Sequence, residues 1–224
     1  MKGSIILFVV VSLAFGSLSC SGMSQRQKGA GIGAGVGALA GTVIGNQSGN
    51  KAAGAIIGGV TGGVAGAIIG DYMDKQAAEM DSDLSGAKVE RVGDGINVTF
   101  GAGILFDVDK YDLRSDARTE IARMAEILAK YPDTYVRIEG HTDSDGSELH
   151  NQTLSERRAS AVTAYLAEKN ISVGRLKNFG FGETRPVASN ESPDGKQANR
   201  RVEVIIEPNE ELRRQAEEKS KEQG

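Results

Sequence analysis

Few residues of this 224-residue chain are able to do chemistry: one cysteine, two histidines and a group of charged side chains in the second half. Cys20, His141 and His150 cannot assemble a Cys/His zinc set, and no serine near His141 has the context of a nucleophile elbow. Asp107, Asp109 and Asp112 open like a calcium loop. The sixth position, where such a loop turns on glycine, is however Asp112, and the twelfth, where glutamate closes the shell, is Arg118. The sequence therefore predicts no catalytic residue, no metal site and no cofactor. Asp143 and Arg158 offer two arrangements. They either neutralise one another as a structural pair, worth about 0–1 kcal/mol at a surface, or together hold a ligand that carries both signs.

Those residues need a scaffold, and the apolar pattern supplies one. Ile96 to Phe100 and Tyr135 to Glu139 alternate as half-buried strands do, and Leu176 to Phe181 and Val202 to Ile206 read as two more. Ala117, Ile121, Met124, Ala125 and Leu128 recur at helical spacing over 115–130, and Leu154, Ala161, Val162, Tyr165 and Leu166 do so over 154–169. The order β-α-β-α-β-β implies an α/β sandwich, a sheet covered on one face by helices, with the loops after its strands free for binding. A net charge of -4 gives no pull toward nucleic acid, and five tyrosines without tryptophan make no base-stacking array, so nucleic acid is not an expected partner.

The first third is of another kind. Lys2 and the apolar run Ile5 to Phe15 have the form of a secretory signal, too short to span a bilayer comfortably. Cys20 follows directly, and without a second thiol it forms no internal disulfide, so a lipid-accepting cysteine is the expected reading. Half of the 30 glycines fall between Gly29 and Gly70, recurring every four residues at Gly29, Gly33, Gly37, Gly41 and Gly45 and again at Gly54, Gly58, Gly62, Gly66 and Gly70. Each glycine costs a helix about 1 kcal/mol in water, but a ridge of them lets two helices approach closely in lipid. The polar turn Asn46 to Lys51 between the charge-free segments predicts an antiparallel hairpin, with self-association through the same ridges as its alternative use.

The local motifs then become specific: Phe106-Asp107, Gly140-His141-Thr142-Asp143 with Gly146, Asn151, Leu154-Ser155 and Arg158, and Asn199-Arg200-Arg201-Val202-Glu203. Their order and spacing over 95–207 resemble the OmpA-like peptidoglycan-binding domain. With the glycine pattern, which resembles the glycine-zipper segments of small outer-membrane lipoproteins, the chain looks like the YiaD-type lipoproteins. The resemblance implies an organisation: a lipoprotein signal over 1–19, a lipidated linker over 20–28, the helical hairpin over 29–76, a connector over 77–94, the binding domain over 95–207 and a charged tail over 208–224. It also implies a ligand, the diaminopimelate of the wall's stem peptide, with Asp143 taking its ammonium and Arg158 its α-carboxylate. Thr142 and Asn151 would support the loop, Arg200 would help on the carboxylate side, and backbone N–H groups near Asp107 would add donors. Ser21 beside Cys20 resembles lipoproteins sorted to the outer membrane.

The function so implied is a non-enzymatic tether between outer-membrane lipid and peptidoglycan, with the C-terminal domain facing the periplasm. Two readings of other classes stand beside it: a membrane-perturbing or assembly-assisting lipoprotein in which the glycine hairpin is the active part, and a cell-wall hydrolase. An ion-conducting helix is disfavoured, because neither glycine segment holds a carboxylate.

Overall fold

The computed structural model describes residues 63–222. Cys20 and most of the expected hairpin lie outside the described residues. Among the described residues no helix is long and apolar enough to cross a membrane.

The chain runs through helix α1 (Val64–Asp83), strands β1 (Ala87–Val92) and β2 (Gly95–Gly101), and a short helix α2 (Ala102–Leu105). Helix α3 (Ser115–Lys130), strand β3 (Thr134–His141), helix α4 (Glu148–Glu168) and strand β4 (Leu176–Gly180) follow. It ends with a short helix α5 (Pro193–Asn199), strand β5 (Arg201–Pro208) and helix α6 (Glu210–Glu222). The sheet order is β1-β2-β5-β3-β4, antiparallel at every step except the parallel β3–β4 pair. Alternation settles the faces: Val98, Val136, Ile138, Val202, Val204 and Ile206 point into a core that α3 and α4 fill with Ile121, Met124, Leu128, Val162 and Leu166.

Two expectations change at the edges of the domain. The segment 77–94 is not a polar connector. Helix α1 runs through residue 76 without a break and buries Ile69, Met73, Gln76, Ala77 and Met80, while β1 adds an edge strand to the sheet. Buried Met and Ile side chains contribute about 1.5–3 kcal/mol each, which explains why the end of the glycine pattern docks on this domain. The charged tail likewise packs on the domain. The Asn209 side chain accepts from Leu212 N–H at 2.9 Å to start α6, and Leu212 and Ala216 join the core beside α1.

Helix α4 also starts earlier than its apolar pattern predicts, where the Ser147 side chain accepts from His150 N–H at 3.3 Å. Its buried face in that first half is polar: Asn151, Ser155 and Arg158 point inward, while Leu154 is only half-buried. Apolar periodicity cannot register such a face.

Candidate functional site

The polar half of α4 is seated by two glycines. Gly140 of β3 and Gly180 of β4 are register partners, and a Cβ added to them would lie 2.2 Å from the Ser155 carbonyl oxygen and 2.4 Å from the Glu156 nitrogen. The helix backbone therefore rests directly on both strands, an approach that only glycine permits. This seat carries Asn151, one turn before Ser155, and Arg158, about one turn after it, to the loop that leaves β3.

Asp143 lies in that loop and is 6% exposed. One carboxylate oxygen accepts from Asp145 N–H at 3.1 Å, and the other is ion-paired with Arg200. Its carbonyl accepts from the Thr142 hydroxyl at 2.9 Å and from Asn151 Nδ2 at 3.2 Å, while Thr142 N–H donates to the Gly182 carbonyl at 2.9 Å. Thr142 and Asn151 thus hold the loop through the Asp143 carbonyl.

Arg158, 4% exposed, enters from α4. Its Nε donates to the Lys110 carbonyl at 2.9 Å, and its guanidinium lies 5.2 Å from the centre of the Phe106 ring. Burial lowers its pKa, Asp109 opposes that, Arg200 adds to it and Asp143 opposes it again. The guanidinium stays cationic at any physiological pH. The pair that the sequence leaves open between Asp143 and Arg158 is not the one formed: Asp143 pairs with Arg200, and Arg158 is held by a carbonyl and a ring face.

The side chain of Asp107 does not join this cluster as a partner. It is ion-paired with Arg114 at 3.1 Å on the surface, while the loop it begins delivers the Lys110 carbonyl to Arg158. Sequence reasoning named Ser155 only as a motif residue and missed Gly182, Glu183 and Lys110 as parts of the site. The Ser155 hydroxyl accepts from Gly182 N–H at 2.8 Å, and Asn151 Nδ2 also donates to Glu183 at 2.6 Å. The one signal for them was Gly182, which turns at φ 49°.

A second charged cluster lies on the other face of the same strands. Glu139, His141 and Glu203 are each 1% exposed, with donor atoms within 4.8 Å of one another, the spacing of a metal set. Arg201 binds Glu203 at 2.6 Å, Arg137 lies 3.4 Å from Glu139 and Arg185 lies 3.5 Å from it. Three guanidiniums already balance these carboxylates, and a dication would add repulsion. His141 stacks on Phe181 at 5.6 Å, and burial, with Arg201 and Arg185 adding to it, holds its pKa down at about 2, so its ring is neutral.

The model of the OmpA family matches residues 105–200, and that of the YMGG-like Gly-zipper matches residues 1–74. The peptidoglycan-associated lipoprotein of Mesorhizobium japonicum is 36% identical over 50% of this chain and 67% of its own length. The chain belongs to the OmpA family. The probable lipoprotein YiaD of Escherichia coli is 34% identical over 62% of this chain and 64% of its own length. The solved structure of the cell wall anchor of the T6SS from Pseudomonas aeruginosa has a TM-score of 0.54 and 28% identity, covering 61% of this chain and 97% of that one. The chain spans 15% to 64% of the length of the first three curated relatives it matches.

Proposed function

We propose that this chain is a non-enzymatic envelope lipoprotein that tethers the outer membrane to peptidoglycan, its OmpA-like domain holding the diaminopimelate of the stem peptide. One observation carries the reading. Asp143 and Arg158, opposite in sign and both more than nine-tenths buried, converge on one site without pairing to each other. Buried charges are retained where they meet a counter-charge, and a zwitterionic amino acid offers one to each. A peptidoglycan-associated lipoprotein and a cell wall anchor among the similar proteins support the wall as the target. Lipidation at Cys20 and packing of the glycine hairpin in or on the membrane supply the second attachment, and two tethered ends raise the effective concentration of each for its target.

The test is co-sedimentation of the full-length chain, solubilised in detergent, with purified peptidoglycan. Asp143→Ala and Arg158→Ala each abolish pelleting while leaving the circular dichroism spectrum intact, and free meso-diaminopimelate releases the wild-type chain. Pelleting that survives both substitutions overturns the site.

A further inference from the structure

The carboxylate assigned to the ligand's ammonium already has a partner within the chain, Arg200. The two cations of the site differ in how they are held. Arg158 is buried and fixed at Nε by the Lys110 carbonyl and at its face by the Phe106 ring. The Arg200 side chain is 43% exposed and Asp143 is its ion-pair partner. Its backbone is tied at both ends, the N–H to the Lys196 carbonyl at 3.0 Å and the carbonyl to Ala102 N–H at 2.8 Å, so the side chain alone has room to turn. The two guanidiniums are near enough for Arg200 to depress the pKa of Arg158.

We propose that Arg200 determines the specificity of this site: it stands in for the ligand's ammonium, and a ligand enters by exchanging both halves of the Asp143–Arg200 pair. The ammonium takes Asp143, and the displaced guanidinium joins Arg158 on the ligand's carboxylate. This rests on the reading of the site given above and adds to it a reason for discrimination. A simple cation would evict Arg200 and leave it unpaired beside Arg158, trading one ion pair for another while adding repulsion. A zwitterion breaks one pair and forms two, with the planar forks of both arginines available to a single carboxylate. An amine without an adjacent carboxylate is thereby refused, by a charge that belongs to the protein itself.

The experiment is competition against wall pelleting by the full-length chain in detergent, with two probes: meso-diaminopimelate, and cadaverine, which carries ammonium groups and no carboxylate. Diaminopimelate releases the wild-type chain at a concentration at least about tenfold below any at which cadaverine acts. In Arg200→Ala, cadaverine gains about tenfold in potency and diaminopimelate loses potency, so the ratio collapses. Arg200→Lys, which keeps the charge on Asp143, still refuses cadaverine. The proposal is overturned if Arg200→Ala leaves the ratio unchanged, if it abolishes pelleting altogether, as for a plain clamp on the wall, or if Arg200→Lys admits cadaverine as Ala does. Asp143→Ala separates the two ideas. Pelleting that survives it defeats the site assignment itself, whereas loss of pelleting with an unchanged ratio in Arg200→Ala defeats the exchange alone.

Discussion

Arg200 and Arg201 are neighbours in the chain, yet they serve two charged clusters of opposite character. Arg201 is buried and closes on Glu203 at 2.6 Å, with further bonds to the Asn199 carbonyl at 3.3 Å and the Arg185 carbonyl at 3.2 Å. Arg200 lies across the mouth of the other cluster, half exposed, on a carboxylate whose partner can be exchanged. The same side-chain types meet in both places. In one the opposite charges are paired with each other, across and along adjacent strands. In the other the fold holds Asp143 and Arg158 apart with carbonyls, amides and a ring. Burial alone therefore does not mark a binding site, and what separates the clusters is whether the opposite charges are left available to a third party.

The largest expected effect tests the sealed cluster. Removing one member of a buried ion pair leaves its partner uncompensated and costs about 3–5 kcal/mol. Arg201→Ala should lower the unfolding free energy of the full-length chain by that amount in urea titrations. Arg158→Ala, which loses a hydrogen bond to a carbonyl and a ring contact, should cost only about 1–3 kcal/mol. If the two substitutions destabilise equally, the distinction between a sealed and an open cluster fails.

A smaller effect comes from His141. Its folded pKa of about 2 lies below the ordinary 6.5, so the neutral ring favours the folded state. That contribution is complete above pH 6.5 and is lost as pH falls toward 2, because the unfolded chain takes up the proton first, at about 1.4 kcal/mol per pH unit. Glu139 acts in the opposite sense. Burial raises its pKa, so its contribution is present below pH 4.5 and is lost as pH rises through the folded value. His141→Phe keeps the stack on Phe181 and removes one of the two titrations. Between about pH 6 and pH 4 the variant should lose stability less steeply than the wild type, by about 1.4 kcal/mol per pH unit. Parallel slopes would mean that the ring is not held neutral in the fold.

The contrast also explains what could be read in the sequence. Period-two and period-3.6 apolar patterns located every central strand, helix α3 and all but the polar start of α4, because the core face of each of those stretches is apolar. They failed on α1 and β1, where Met73, Gln76 and Met80 are set among polar residues and the edge strand carries Lys88, Glu90 and Arg91. Asp143, Arg158, Asn151, Thr142 and Arg200 were legible only as motif residues, and the structure brings them together. Which cation pairs with Asp143 was not legible, since it depends on a side-chain direction that spacing does not encode. The sealed cluster escaped notice for a related reason: Glu139, Arg201 and Glu203 look like exposed alternating charges until the Phe181–Arg185 segment is seen packed over them, with Arg185 3.5 Å from the Phe181 ring.

The smallest effect is expected at Asp107, the one candidate site residue whose side chain turns away. Its ion pair with Arg114 joins side chains that are 70% and 44% exposed, a setting in which such a pair is worth about 0–1 kcal/mol and is screened by salt. What the loop contributes to the site is backbone: the Asp107 carbonyl accepts from Lys110 N–H at 3.0 Å, and the Lys110 carbonyl in turn fixes Arg158. Asp107→Asn leaves that backbone intact. Wall pelleting and its release by diaminopimelate should stay within about twofold of wild type, and stability within about 1 kcal/mol. A tenfold loss of binding would place the Asp107 carboxylate on the ligand and extend the open cluster across the loop. An unchanged result would confine recognition to the three charges Asp143, Arg158 and Arg200.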